Sequence, residues 1–153
     1  MRTAKQWFED YAVSHKNQTN INIHYICVPL IFFSVVGLLM SIPTELLNSI
    51  TPIDNPLIVN WAFIAAIFTL YFYFNLGFSY GLKMLAFMAL ALLLNYYLSE
   101  FVNLFYTSIF IFVIAWVGQF YGHKIEGKKP SFLKDLHFLL IGPLWVIEKL
   151  THK

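Results

Sequence analysis

Four long stretches of the chain contain no Asp, Glu, Lys or Arg, and short polar segments separate them. These stretches are residues 17–44, 55–82, 84–99 and 101–123. A helix needs about 20 apolar residues to cross the hydrocarbon core of a bilayer, with a range of about 17–25. The third stretch is the shortest, but Lys83 and Glu100 can reach the interface from its ends. The pattern predicts membrane-spanning helices near 21–42, 57–76, 81–98 and 101–121.

Two further segments have a helical pattern but are too short to span. Thr3-Ala4-Lys5-Gln6 fits a capping box that opens a helix. Trp7, Phe8 and Tyr11 then share a face suited to the headgroup layer. Near the other end, apolar residues recur at helical spacing at Leu133, Leu136, Leu140, Leu144 and Ile147. We expect an N-terminal interfacial helix and a C-terminal interfacial or re-entrant helix, with Gly142-Pro143 interrupting the latter.

The composition agrees with this architecture. The 153 residues are 59% hydrophobic and 19% aromatic, and only 12% are charged, whereas soluble domains average about 25% charged residues. Lipid is therefore the expected solvent for most of the surface, and we expect one all-α integral membrane domain over residues 1–153. The net charge of +2 makes nucleic acid a poor candidate partner.

The basic residues predict the orientation of the chain. All of them fall on one side of the four-span arrangement: Arg2, Lys5, Lys16, Lys83, Lys124, Lys128, Lys129, Lys134, Lys149 and Lys153. The links on the other side, 43–56 and 99–100, carry only acidic charges. Because cytoplasmic loops are enriched in Lys and Arg, both termini are predicted to be cytoplasmic. The membrane would be the bacterial inner membrane or that of the endoplasmic reticulum.

Three histidines fall on this predicted cytoplasmic side: His15, His24 and His123. Any one of them alone would be an ordinary interfacial side chain, but together they form a candidate metal site. His15 and His24 are nine residues apart and would lie on opposite faces of one straight helix. We therefore expect a break between them, with Asn17 in a left-handed conformation and Thr19 or Asn20 as the next helix cap.

Other polar residues accompany the three histidines. Glu126 is three residues after His123 and could ligate a metal or support His123 from outside the ligand shell. The candidates for supporting the site or binding substrate are Tyr11, Asn17, Asn20 and Gln119. His137 and Glu148 are weaker candidates, for which surface or structural roles are favoured. Imidazole suits zinc, copper or iron, and a His/carboxylate set with open positions suits Fe(II), but the spacing alone does not choose among them.

The same residues form motifs that resemble those of a known family. They are Tyr11, His15-x-Asn17-x-x-Asn20-x-x-x-His24, Val28-Pro29, Gln119-x-x-Gly122-His123-x-x-Glu126-x-x-x-Pro130, and Pro143 followed by Glu148. The motifs span nearly the whole chain. They are similar to those of the membrane-embedded 2-hydroxy fatty acid dioxygenases, which take part in the breakdown of phytosphingosine, a sphingolipid base.

The resemblance implies an Fe(II)-dependent oxidoreductase of fatty acid α-oxidation. Such an enzyme would use O2 to shorten a long-chain 2-hydroxy fatty acid by one carbon, within the lipid bilayer. The essential histidines of the family correspond to His15, His24 and His123. Oligomeric state, including a homo-oligomer, is left open.

Two other classes of function remain open at this point. One is a non-catalytic membrane protein, either a small transporter or a scaffold. The absence of charged residues from the predicted spans gives an ion-coupled transporter little support. The other is a zinc-dependent membrane lipid hydrolase, which would keep the metal site but change the chemistry.

Overall fold

The computed structural model describes residues 2–151, and over this range it contains helices and no strand. The α-helices are α1 (Ala4–Ala12), α2 (Gln18–Met40), α3 (Glu45–Ile50), α4 (Trp61–Leu76), α5 (Phe78–Ser99), α6 (Leu104–Glu126) and α7 (Phe138–Thr151). A 3₁₀ turn covers Ser131–Leu133. The predicted all-α class is confirmed. Lys153, which contributes to the predicted charge asymmetry, and the neighbouring His152 lie outside the described residues.

Three helices are long and apolar enough to cross a membrane, by length and composition: α2, α5 and α6. The fourth predicted span, α4, has 16 residues, or about 24 Å of helix, against a hydrocarbon core of about 30 Å. The shortest helix of the four is thus not the one that the sequence indicated. The α5 helix reaches 22 residues because it begins directly after Gly77 and includes Lys83.

The start of α4 is set by local hydrogen bonds rather than by hydrophobicity. The Asn55 side chain accepts a hydrogen bond from the Leu57 backbone N–H at 3.0 Å, which forms a turn where the sequence pattern predicted helix. Asn60 then caps α4, because its side-chain oxygen accepts from the Phe63 N–H at 2.8 Å. The turn at Asn55 and the cap at Asn60 together delay the start of α4 to Trp61.

The chain divides into two compact units. One consists of residues 1–32 and 113–153, within the described range, and the other of residues 33–112. The expectation of a single domain over the whole chain stays a prediction. In the second unit α4 packs along α5, and the Asn95 amide donates to the Phe33 and Ala91 carbonyls at 3.1 and 2.9 Å. All three candidate histidines belong to the first unit.

In the first unit α1 packs against α7. The predicted capping box opens α1: the Thr3 hydroxyl accepts from the Gln6 N–H, and the Gln6 side chain accepts from the Thr3 N–H. Trp7 and Tyr11 are buried, so the prediction that their face lies in the headgroup layer is wrong for these two residues. The α7 helix covers them, since Trp7 packs edge-on against Phe138.

The α7 helix continues through Gly142-Pro143, where the sequence predicted an interruption. Its buried residues are Phe138, Ile141, Gly142, Pro143, Leu144, Trp145 and Val146, so the middle of the helix is buried on all sides. Gly142 permits close packing on α1, because a Cβ at this position would lie 3.1 Å from the Tyr11 hydroxyl. Leu133 and Leu136, expected on the same apolar face, are instead exposed and precede the helix.

The end of α6 is fixed by a glycine. Gly127 has a φ of +72°, and its N–H donates to the His123 carbonyl at 3.1 Å, while the Lys128 N–H donates to the same carbonyl at 3.3 Å. This left-handed stop is a common way of ending a helix. It places Glu126, the last residue of α6, beside the segment that joins α1 to α2.

Gly127 offers a test of this stop that is free of packing effects, because a Cβ there would meet no atom within 4 Å. We expect Gly127→Ala to lower the free energy of unfolding by about 1–2 kcal/mol, since an L-residue in a left-handed conformation is strained. Gly127→Asn should cost less, because Asn tolerates this conformation. Reversible unfolding in mild detergent measures both, and equal stability of all three proteins would contradict the assignment.

Candidate metal centre

Three histidines from separate elements converge in the first unit. His15 lies in the turn after α1, His24 in the first two turns of α2, and His123 in the last turn of α6. Their side chains are buried, with exposed fractions of 4%, 1% and 5%. One nitrogen from each ring lies within 4.8 Å of the others. The structure thus brings together the three residues that the sequence analysis selected.

A turn at residues 13–17 brings His15 and His24 to the same side. Asn17 caps α2, since its side-chain oxygen accepts from the Thr19 and Asn20 N–H groups at 2.9 and 3.4 Å. The break was predicted, but its mechanism was not. No non-glycine residue in the described range has a positive φ, so the prediction of a left-handed Asn17 is wrong, and so is that of a cap at Thr19 or Asn20. The Asn17 side chain performs the capping.

Backbone carbonyls fix the tautomers of two of these histidines. His15 Nδ1 lies 2.6 Å from the Tyr11 carbonyl oxygen, and His24 Nδ1 lies 2.9 Å from the Asn20 carbonyl oxygen. A carbonyl oxygen can only accept, so both Nδ1 atoms must donate a proton. Each neutral ring therefore presents its Nε2 lone pair, and the two Nε2 atoms are 2.9 Å apart.

His123 completes a triangle with the other two rings. Its centroid lies 5.0 Å from that of His15 and 4.9 Å from that of His24, and the His15 and His24 centroids are 4.4 Å apart. The rings are inclined to one another by 74–88°. The buried Nδ1 of His123 has no hydrogen-bond partner within residues 2–151.

Burial keeps His15 neutral. Desolvation lowers the pKa of His15 to about 4, and the hydrogen bond to the Tyr11 carbonyl only partly opposes this. Tyr11 also stacks on the His15 ring, with centroids 4.0 Å apart and planes inclined by 13°. Burial raises the pKa of Tyr11, so its hydroxyl keeps its proton. Neutral imidazole is the form of histidine that binds metals.

The arrangement fits a divalent transition-metal ion. Two nitrogen ligands at about 2.0–2.1 Å from one ion lie about 3 Å apart when they subtend a right angle, and the His15 and His24 Nε2 atoms are 2.9 Å apart. Ligating histidines usually donate their other ring N–H to a carbonyl or carboxylate, as both do here. The unpartnered Nδ1 of His123 is a buried polar atom that a cation would satisfy.

Glu126 is close to this cluster but is held elsewhere. Among the described residues, the cluster of potential ligands contains only the three histidines. The Glu126 carboxylate accepts hydrogen bonds from the Lys16 and Asn17 N–H groups at 3.0 and 2.8 Å, and from the Asn20 amide at 3.1 Å. Its predicted role as a metal ligand is untested and stays a prediction.

Two further predicted residues lie beside the cluster. Asn20 is fully buried, and its amide also donates to the Ser14 carbonyl at 3.2 Å. Gln119 is buried one turn before His123 on α6. The Asn20 Oδ1 and Gln119 Nε2 atoms have no hydrogen-bond partner in the part of the chain that the structure describes.

Neither His137 nor Glu148 belongs to the cluster that the described residues form. The His137 side chain is 59% exposed, and its Nδ1 lies 2.7 Å from Asp135 Oδ1. Hydrogen bonds from the His137 N–H and ring lower the pKa of Asp135. Glu148 lies on α7. His137 therefore serves as a control histidine in this protein.

Two glycines let α6 approach α2; the sequence motifs included Gly122 but not Gly118, and neither was assigned a packing role. A Cβ on Gly122 would lie 2.5 Å from Asn20 Oδ1, and a Cβ on Gly118 would lie 2.6 Å from Cys27 Sγ. Both distances are too short for a real Cβ contact. Gly118 and Gly122 form a G-x-x-x-G motif, the usual signal of close helix packing in membranes, and this signal was available in the sequence.

Comparison with known protein families gives a match over the whole chain. The family described as "2-hydroxy-palmitic acid dioxygenase Mpo1-like" matches residues 1–153 of the chain. No curated protein and no solved structure matches it significantly.

We expect the purified chain to bind one divalent transition-metal ion. Replacing His15, His24 or His123 by alanine removes a ligand. The metal affinity should therefore fall by more than the roughly 10–100-fold that is typical when a residue that only orients a ligand is replaced. His137→Ala should bind as the unsubstituted chain does. Titration with Co²⁺, followed by its absorption spectrum, measures this. Equal losses in His137→Ala and His123→Ala would contradict the assignment.

The glycine contacts predict a second set of effects. Gly118→Ala should destabilise the protein by about 1–3 kcal/mol through overpacking, and Cys27→Ala should restore most of this in the double variant because it removes the clashing sulfur. Gly122→Ala should also weaken Co²⁺ binding, since it displaces Asn20. Unfolding and Co²⁺ titration of each variant measure these changes. A double variant no more stable than Gly118→Ala would rule out this contact.

Proposed function

Because this chain belongs to the 2-hydroxy-palmitic acid dioxygenase Mpo1-like family, we propose that it is an Fe(II)-dependent membrane enzyme that uses O2 to shorten long-chain 2-hydroxy fatty acids by one carbon. The observation that carries the proposal is the buried cluster of His15, His24 and His123, with ring nitrogens within 4.8 Å of one another. The family description supports the substrate class, and the histidine cluster supports the metal.

The overall reaction balances with one molecule of O2. A 2-hydroxy acid and O2 give the carboxylic acid one carbon shorter, CO2 and water. The bond between C1 and C2 breaks, C1 leaves as CO2, and C2 is oxidised from an alcohol to a carboxylic acid. These changes supply the four electrons that reduce O2. No other reductant is required, which is consistent with a site built from histidines alone.

The three histidines would hold the iron. Bound Fe(II) supplies the redox chemistry that O2 activation requires, together with open positions for the substrate. The carbonyls of Tyr11 and Asn20 orient the rings of His15 and His24 through their Nδ1–H groups. Asn17 supports the same site indirectly, because it caps the helix that carries His24.

Gln119 is the residue best placed to recognise a polar group of the substrate. It lies one helical turn before His123, is 95% buried, and its Nε2 donor has no protein partner within the described range. An unsatisfied buried donor costs about 1–3 kcal/mol. We propose that the Gln119 amide donates to the carboxylate or hydroxyl of the bound 2-hydroxy acid.

The apolar surface supports a lipid-derived substrate. The α2 and α6 helices, which carry His24 and His123, are long and apolar enough to cross a membrane, so an acyl chain can remain in a hydrophobic environment while its polar end reaches the histidines. We propose an integral membrane location with both termini cytoplasmic, for which the one-sided distribution of Lys and Arg is the support.

Anaerobically purified protein loaded with Fe²⁺ tests the activity. With 2-hydroxypalmitate carrying ¹³C at C1, we expect one O2 consumed, one ¹³CO2 released and one fifteen-carbon acid formed per turnover. His123→Ala should lose this activity, because it removes an iron ligand, and His137→Ala should retain it. Mass spectrometry and an oxygen electrode measure the products and the consumption.

The alternative functions give different outcomes in the same assay. A zinc-dependent hydrolase would work without O2 and would release no CO2 from C1. A transporter or scaffold would convert no substrate. Oxygen consumption that is unchanged in His123→Ala would also overturn the proposal, because the reaction would then not depend on the histidine cluster.

A further inference from the structure

The carboxylate of Glu126 bridges α6 to the turn that carries His15. Oε1 accepts from the Lys16 N–H at 3.0 Å. Oε2 accepts from the Asn17 N–H at 2.8 Å and from the Asn20 side-chain amide at 3.1 Å. Lys16 and Asn17 directly follow His15 in the chain, and Asn20 lies one turn before His24. A single carboxylate therefore contacts the segment between two of the candidate ligands.

Asn20 connects this carboxylate to His24. Its side-chain amide donates to Glu126 and to the Ser14 carbonyl, and its backbone carbonyl accepts from His24 Nδ1. The position of Asn20 thus determines both the shape of the turn and the orientation of the His24 ring. Hydrogen bonds to an ionised acceptor are about twice as strong as neutral ones, so the bonds to Glu126 are stronger than bonds to neutral carbonyls would be.

A second contact holds the same turn from its other end. The Lys128 ammonium donates to the Val13 carbonyl at 2.8 Å. Val13 lies two residues before His15, whereas Lys16 and Asn17, which contact Glu126, directly follow His15. Glu126 and Lys128 flank Gly127, whose left-handed conformation ends α6. The end of the helix that carries His123 therefore fixes the chain on both sides of His15.

We infer that Glu126 is a positioning residue, which sets His15 and His24 at the distance from His123 that metal binding requires, and that it is not itself a ligand. The inference rests on the proposed metal site. Its basis is that both carboxylate oxygens accept hydrogen bonds, from two backbone N–H groups of the turn and from the Asn20 amide on α2. One nitrogen of each histidine ring, by contrast, lies within 4.8 Å of the others. Removing the carboxylate would leave the Lys16 and Asn17 N–H groups without this acceptor and loosen the turn.

Glu126→Gln and Glu126→Ala test this role through Co²⁺ binding rather than through activity. We expect the Co²⁺ affinity to fall by about 10–100-fold in both variants, the range typical of groups that orient ligands. At saturating Co²⁺, one ion per chain should still bind, with the absorption spectrum of the unsubstituted protein. Glu9→Gln, an acid-to-amide change at a 65% exposed side chain of α1, should change neither the affinity nor the spectrum.

Each other outcome overturns the inference in a distinct way. A Co²⁺ spectrum that changes at saturation in Glu126→Gln would identify Glu126 as a ligand. Unchanged affinity in both Glu126 variants, even with lower thermal stability, would leave Glu126 a purely structural role. If Glu126→Ala does not fold, Glu126→Gln carries the test, because it keeps the shape of the side chain. Failure of the unsubstituted protein to bind Co²⁺ or Fe²⁺ would instead overturn the proposed function, and the inference with it.

Discussion

Two hydrogen bonds to backbone carbonyls determine what the histidine cluster can bind. They direct the Nδ1–H groups of His15 and His24 to the Tyr11 and Asn20 carbonyls, which leaves two Nε2 lone pairs facing each other at 2.9 Å. Two lone pairs at this distance repel unless a proton or a cation lies between or beside them. Burial disfavours a proton on His15. At neutral pH a bound metal ion would therefore relieve the repulsion between the two lone pairs better than a proton would. The proposed chemistry depends on this arrangement.

The close approach of α2 and α6 then adds the third histidine. Gly118 and Gly122 allow the two helices to meet at Cys27 and Asn20, and His123 follows Gly122 directly. Where lipid surrounds the helices, burying apolar surface does not drive them together, so packing at small residues and polar contacts must do so. The contacts of Glu126 and Lys128 with the turn at residues 13–17 supply the polar part.

Several buried polar atoms beside the cluster have no hydrogen-bond partner in the described part of the chain. They include Asn20 Oδ1, Gln119 Nε2 and His123 Nδ1. Each such atom costs about 1–3 kcal/mol, so a core selected for stability alone would replace them. A bound metal and a polar substrate would satisfy the three atoms beside the histidines, whereas Asn95 Oδ1 and Ser108 Oγ lie in the second unit and do not mark this site.

The sequence by itself determined the helical class, the apolar segments, the capping box at Thr3 and the choice of His15, His24 and His123, because hydrophobic length, cap spacing and polarity at helix ends are local properties. The start of α4 and the cap at Asn17 depend on local side-chain hydrogen bonds that the hydrophobic pattern does not show. The burial of Trp7 and Tyr11 under α7 was decided by tertiary structure. Tertiary structure also decided the partners of Glu126, since they lie more than 100 residues away in the chain. No local pattern encodes which donors reach a carboxylate after the chain has folded back on itself, and this decides whether Glu126 can hold the turn.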